Sequence, residues 1–172
     1  TGSNVAVTEN AAMDLGASTI GGTANFNSTS NVITDSGTLA ITGATTINAG
    51  TADITLDQAA STFGALALTG ANVAVTENAA TDLAASTVSG TLGVTSTGVV
   101  TDSGTLAITG ATTISASGQD ITLDEAASTF GTLALTGSNV AVTENAAMDL
   151  AASTVGGTPR LTSTSAVTTS SG

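Results

Sequence analysis

The residues of this chain that could do chemistry are carboxylates and hydroxyls. The chain has 13 acidic residues and one base, Arg160, and it contains no histidine, cysteine, lysine, tyrosine or tryptophan. No imidazole, thiol or amine side chain is therefore present to act as a base or nucleophile. Two chemistries remain open to carboxylates: an acid and base pair that hydrolyses glycosides, and a set of oxygen ligands for Ca²⁺.

Seven of these acids recur at similar distances along the chain, each after a short apolar alternation such as VAVTE or ITLD. Their separations are 26, 22, 20, 25, 22 and 20 residues. A catalytic pair needs one unique site, whereas an acid that returns in successive repeats is more simply part of the architecture. We therefore expect the chain not to be an enzyme. The seven acids are Glu9, Asp35, Asp57, Glu77, Asp102, Asp124 and Glu144.

Regular spacing would align such acids in a ladder along one corner of a stacked fold. A row of Ca²⁺ sites is one interpretation, and a solvated corner that keeps the protein soluble is the other. The chain lacks the glycine-aspartate nonapeptide of calcium-binding β-rolls, so we expect no bound cofactor. The candidate calcium ligands are Asp35, Asp57, Glu77, Asp102, Asp124 and Glu144.

A long internal repeat organises the whole sequence. The segment 4–12, NVAVTENAA, returns unchanged at 72–80 and 139–147, with offsets of 68 and 67 residues. The segment 34–47 returns unchanged at 101–114. The sequence therefore predicts one β-helix segment over residues 1–172, with long repeats at 1–68, 69–135 and, in part, 136–172.

Within each repeat, apolar residues alternate with Ala or Thr, which is the period of a strand with one buried face. Gly, Asn, Asp and Ser separate these runs and favour turns. The mean acid spacing predicts a parallel β-helix of about 22 residues per rung, with three short strands in each rung and seven to eight rungs in all. A short helix over residues 9–17 is the alternative there, but Met13 and Leu15 alternate as in a strand.

The aliphatic face of each strand should point into the lumen of the β-helix. Leu39 and Ile41 are examples, and the three phenylalanines, Phe26, Phe63 and Phe130, are expected to fill the same space. Pro159 and Arg160 stand together where the second copy has Leu92 and Gly93. A proline in a strand tends to mark an edge, so this pair indicates either sequence drift or a local end of regular stacking.

Composition also bears on the partners. A net charge of −12 argues against binding to nucleic acid or anionic lipid, and no apolar run is long enough to cross a membrane. The chain begins and ends inside repeats, so we expect copies of itself or adjoining repeats of a longer chain to stack on its ends. Thr-x-Thr segments such as 95–97 do not occur in every rung, which disfavours an ice-binding face.

Several phrases resemble the repeats of filamentous-haemagglutinin-type adhesins, namely GTLAITGATTI (37–47), DITLDQA (53–59), GALALTGANVAVTENA (64–79) and AASTVSGTLGVTS (84–96). These are giant bacterial surface proteins exported by two-partner secretion or as autotransporters. The resemblance implies a right-handed parallel β-helix shaft, tens of rungs long, that holds binding regions away from the cell. Nothing in the chain matches the export domain or signal of that family.

The sequence therefore favours a structural, non-catalytic shaft of an extracellular bacterial adhesin or surface fibre. Its partners outside the chain would be host-cell, matrix or surface glycans. The first alternative is a self-assembling extracellular filament subunit that stacks end to end. A carbohydrate-active β-helix enzyme and an ice-binding protein are less favoured, because the sequence offers neither a non-repeating acidic cleft nor a regular threonine array.

Overall fold

The computed structural model describes residues 2–170, and every regular element among them is a β-strand. The predicted all-β fold is confirmed: parallel strands stack as a β-solenoid of about nine turns, with about 19 residues in each turn. At ~4.8 Å per turn the rod is ~40 Å long. No helix in this part of the chain is long and apolar enough to cross a membrane.

The strands are short, from two to six residues, because a turn residue interrupts the chain every few positions. They are β1 (Val5–Glu9), β2 (Met13–Leu15), β3 (Ser18–Ile20), β4 (Ala24–Ser28), β5 (Ile33–Asp35), β6 (Leu39–Ile41), β7 (Thr45–Asn48), β8 (Ile54–Leu56), β9 (Leu66–Gly70), β10 (Val73–Glu77), β11 (Thr81–Leu83), β12 (Ser86–Val88), β13 (Leu92–Ser96), β14 (Val100–Asp102), β15 (Leu106–Ile108), β16 (Thr112–Ser115), β17 (Ile121–Leu123), β18 (Thr132–Gly137), β19 (Val140–Glu144), β20 (Met148–Leu150), β21 (Thr154–Val155), β22 (Pro159–Ser163) and β23 (Val167–Thr169).

Two large parallel sheets form the walls of the solenoid. The first sheet follows the order β1-β4-β7-β9-β11-β14-β17-β19-β22, with β12 and β15 beside this path. The second follows β2-β5-β8-β10-β13-β16-β18-β20-β23, with β21 beside it, and β3 and β6 form a separate pair. Each turn therefore passes once through each large sheet and lies beside the turns before and after it.

The register between turns places like residues on like residues. Val73 lies between Ile54 of the preceding turn and Leu92 of the following turn, and all three side chains are buried. The outward neighbours in the same register are Ala74, Thr55 and Gly93. This confirms the predicted alternation, as does the burial of Leu39 and Ile41 and of all three phenylalanines.

The turns are shorter and more numerous than the acid spacing predicted. The VAVTE strand lies in the first sheet as β1, in the second sheet as β10 and in the first sheet again as β19. A repeat of 67 or 68 residues thus ends on the sheet opposite to the one where it began. It spans about three and a half turns of about 19 residues, whereas it holds only three acids of the regular series. The acids therefore mark the long repeat and not the individual turn.

Local backbone requirements agree with the turn residues in the sequence. Gly22, Gly43 and Gly64 form a column in successive turns, and a Cβ atom at Gly64 would clash with the carbonyl oxygen of Gly43. Gly50 has a φ of 59°, a conformation that favours glycine. Residues 9–17 contain the end of β1 and the strand β2, so the strand interpretation of this segment is confirmed and the helix alternative is wrong.

Replacing Leu39 by Asp should destabilise the solenoid by several kcal/mol, because Leu39 is fully buried and a lumen carboxylate would have no basic partner. Thr38→Asp is the matched control, since Thr38 is exposed beside it, and it should have little effect. Urea denaturation of both variants measures the two free energies of unfolding. Equal midpoints for Leu39→Asp and wild type would show that Leu39 does not face the lumen.

Candidate functional site

Two of the VAVTE glutamates, Glu77 and Glu144, lie at the junction between two turns and bind the backbone of the preceding turn. Glu77 ends β10, and its Oε1 accepts a hydrogen bond of 2.7 Å from the backbone N–H of Phe63. Glu144 ends β19, and its Oε1 accepts one of 2.8 Å from the N–H of Phe130. Both side chains are buried. Each carboxylate therefore satisfies a main-chain donor where the preceding turn folds over the lumen.

Two aspartates, Asp35 and Asp102, bind the backbone of the following turn in the same way. Asp35 ends β5, and its Oδ1 accepts a hydrogen bond of 2.9 Å from the N–H of Asp57. Asp102, its equivalent in the next repeat, accepts one of 2.8 Å from the N–H of Asp124. Asp35 and Asp102 are buried, whereas Asp57 and Asp124 are exposed.

The six candidate calcium ligands do not form the single corner ladder that their spacing predicted. Asp35, Asp57 and Glu77 lie at or directly after the ends of strands of the second sheet, and their repeat equivalents lie at or directly after the ends of strands of the first sheet. The reason is that each long repeat spans about half a turn more than three whole turns. This half-turn offset moves every acid to the opposite wall from one repeat to the next. Residues 2–170 contain no group of three or more acidic side chains placed to hold a metal ion together.

Burial dominates the electrostatics of the four buried acids. It raises the pKa of Glu77 and Glu144 above the ordinary value of a glutamate, and the N–H groups of Phe63 and Phe130 offset part of this rise. Burial likewise raises the pKa of Asp35 and Asp102. The hydrogen bonds that these carboxylates accept from backbone N–H groups lower the pKa by a smaller amount. Arg160, the one arginine, is exposed on β22, and the four buried carboxylates accept their hydrogen bonds from backbone N–H groups.

Sequence reasoning missed a polar ladder at the corner that precedes the long strands. Asp53 Oδ1 accepts hydrogen bonds from the backbone N–H and the side-chain amide of Asn72, and Asn72 Oδ1 accepts from the N–H of Thr91. Asp120, Asn139 and Thr158 repeat these contacts in the next copy. The signal was present: a polar residue stands immediately before each strand of these sets, one turn apart.

The proline and arginine pair lies within a regular strand. Pro159 and Arg160 begin β22, which pairs in parallel with β19 and places Pro159 beside Val140. In the second copy the same position is Leu92, whose N–H donates a hydrogen bond of 2.9 Å to Ala111 of the following turn. Pro159 has no N–H, so this strand offers one donor fewer to any turn that follows it.

The buried glutamates should make the solenoid more stable as the pH falls. Their pKa is raised in the folded state, so protonation favours folding: this contribution is full below the ordinary glutamate pKa of about 4.3 and is lost as the pH rises through the folded pKa. Urea midpoints measured between about pH 5 and pH 8 should therefore decrease with pH. In the double variant Glu77→Gln, Glu144→Gln the decrease should be smaller.

Glu9→Gln is the matched control for this experiment, because Glu9 stands in the same motif but is exposed. It removes one negative charge without removing a buried carboxyl. The proposed origin of the pH dependence would be wrong if the double variant kept the slope of the wild type, or if Glu9→Gln flattened it equally.

Comparison with known proteins agrees with an architecture of repeats. A protein-family model described as repeats of unknown function (DUF5649) matches residues 2–69, 70–136 and 137–172. No curated protein and no solved structure matches the chain. The family match carries no assignment to filamentous-haemagglutinin-type adhesins or to a particular secretion route.

Proposed function

We propose a structural role for this chain, which belongs to the DUF5649 family of repeats from residue 2 to residue 172. In this proposal the chain is a non-catalytic stretch of the shaft of an extracellular bacterial adhesin or surface fibre. The shaft holds binding regions at a distance from the cell, where they meet host-cell, matrix or other surface glycans.

The observation that carries the proposal is the uninterrupted register from β1 to β23. Each turn pairs with the next in parallel, and the second repeat enters the stack through the same contacts as the third, on the opposite wall. Adding repeats therefore lengthens the rod and leaves its cross-section unchanged. This is what a spacer between a cell and its binding regions requires.

The distribution of the acids supports a passive role. The buried carboxylates of Glu77 and Glu144 bind backbone N–H groups, and the two residues occupy equivalent places in successive repeats. A hydrolytic pair would need two carboxylates that face one substrate, with different pKa values and a cleft of their own. The placement of the shaft outside the cell rests on the resemblance of its repeat phrases to adhesin repeats.

Recombinant arrays with increasing numbers of repeats test the shaft directly. Each added pair of repeats contributes seven turns, so the length of the rod should grow by ~34 Å per pair while its cross-section stays constant. Small-angle X-ray scattering measures both quantities. In cells that make the parent protein, immunogold labelling with antibodies to the repeats should follow fibres that project from the surface. A length that does not grow with the arrays, or labelling confined to the cytoplasm, would overturn the proposal.

A further inference from the structure

Two intervals of the chain are longer than any other stretch between consecutive strands in the part that the structure describes. They are residues 57–65, between β8 and β9, and residues 124–131, between β17 and β18. One isolated bridge joins each interval to an adjacent turn, and in the first interval it runs from Thr62 to Ala40. Segments with few ladder contacts open locally before the rest of a fold. The two intervals are therefore places where a stacked turn can loosen first.

Two hydrogen bonds tie each interval to the turn that follows it. In the first interval, the N–H of Phe63 donates to Glu77 Oε1 at 2.7 Å, and the carbonyl of Ser61 accepts from the N–H of Asn78 at 2.8 Å. The second interval repeats both contacts, each at 2.8 Å, through Phe130, Glu144, Ser128 and Asn145. We call an interval together with the glutamate that it contacts a glutamate junction.

The second carboxyl oxygen of each of these glutamates is buried and, within residues 2–170, has no hydrogen-bond partner. The neutral acid tolerates such a place, whereas the ionised carboxylate loses most of its hydration there. Burial accordingly raises the pKa of Glu77 and of Glu144. Opening of a junction would return the carboxylate to water, so ionisation of the glutamate favours the open form.

The two junctions differ at the residue four positions after the glutamate. After the identical sequence VAVTENAA, the first junction has Thr81 and the second has Met148, and both side chains are buried. Burial and the N–H of Phe63 have the larger effects on the pKa of Glu77, and the hydroxyl of Thr81 then lowers it further. At Glu144 the N–H of Phe130 alone opposes the effect of burial on the pKa.

A hydroxyl and a thioether act differently on a buried carboxyl. Thr81 Oγ1 is buried and has no hydrogen bond to any other group of residues 2–170. By rotation it can donate to the ionised carboxylate or accept from the protonated acid, so it offers Glu77 a partner in both states. The sulfur of Met148 has no hydrogen to donate. Ionisation of Glu77 therefore costs less than it would with a methionine at position 81.

The charged side chains on the elements packed against the two glutamates are not buried, and none of them contributes to either pKa shift. These elements are the strands paired with β10 and β19, the turns after those strands, and β11 and β20. Their charged residues are Asp57 and Asp82 for Glu77, and Asp124, Glu125, Asp149 and Arg160 for Glu144. The hydroxyl of Thr81 is therefore the contact that distinguishes the two carboxyls.

We propose that the two glutamate junctions are pH-sensitive joints of the rod, and that the residue four positions after each glutamate sets how far its junction loosens as the pH rises. The closed form is most stable below the ordinary glutamate pKa of about 4.3, and it loses stability until the pH has risen through the raised pKa of the folded state. Thr81 limits this loss, and Met148 does not. This inference goes beyond the shaft, since it does not depend on where the rod is displayed.

Hydrogen exchange followed by NMR measures each junction separately, through the backbone N–H groups of Phe63 and Phe130. After correction for the intrinsic effect of pH on exchange, both protection factors should fall between about pH 5 and pH 8, by at most about tenfold per pH unit. The N–H of Leu92, which donates to Ala111, should stay more protected at every pH. In Glu77→Gln the profile of Phe63 should become flat, and that of Phe130 should not change.

Exchange of the two distinguishing residues is the matched test. Thr81→Met should increase the fall of Phe63 protection between about pH 5 and pH 8 by about fivefold, because the carboxylate loses one hydrogen-bond donor. Met148→Thr should reduce the fall of Phe130 protection by a similar factor, and each variant should leave the other junction unchanged. The lumen already holds both residue types at this position of the repeat, so Leu92 should keep its protection in both variants.

Three outcomes would overturn the proposal. A wild-type profile at Phe63 in Glu77→Gln would show that the glutamate does not control its junction. Unchanged profiles in Thr81→Met and Met148→Thr would show that the fourth residue does not set the response. Equal protection of Phe63, Phe130 and Leu92, with the same response to every substitution, would show that the whole rod opens and that the junctions have no motion of their own.

Discussion

The fold depends on the register between successive turns. Residues 17 to 21 positions apart become neighbours, and this variable step keeps aliphatic side chains above aliphatic side chains along the whole lumen. Differences in turn length are absorbed at the corners, where loops tolerate them at small entropic cost. A slip of one residue would move every apolar side chain of a strand to the outer face. The register therefore determines the packing of the core, the hydrogen bonds between turns and the length of the rod.

The half-turn offset imposes a second condition on the sequence, because the same residues must fit both walls. β10 and β19 have one sequence and lie in different sheets, yet Glu77 and Glu144 accept the same N–H from the turn before. Small outward residues such as Ala74 and Gly93 suit either wall. The buried glutamate is the most demanding element of this arrangement, since the hydrogen bond from a phenylalanine N–H offsets only part of its desolvation, which protonation relieves.

Sequence periodicity predicted the strands well, because alternation reports directly on a buried face. Leu39, Ile41 and the three phenylalanines all lie in the lumen. It predicted the turn length less well, because the most visible marker, the acid series, occurs three times in a repeat of about three and a half turns. The roles of Asp35 and Glu77 could not be predicted from the sequence. An acid at the end of a strand indicates a solvated corner, and only the path of the adjacent turn shows which backbone N–H donates a hydrogen bond to it.

Cysteine pairs test the register between turns most directly, since the chain has no cysteine of its own. Thr76 and Thr95 are neighbours in register on the second sheet, whereas Thr143, one repeat beyond Thr76, lies on the first sheet. Neighbouring parallel strands are ~4.8 Å apart, within the span of a disulfide. The variant Thr76→Cys, Thr95→Cys should oxidise within one molecule, and Thr76→Cys, Thr143→Cys should not. An intramolecular disulfide in the second variant and none in the first would contradict the account.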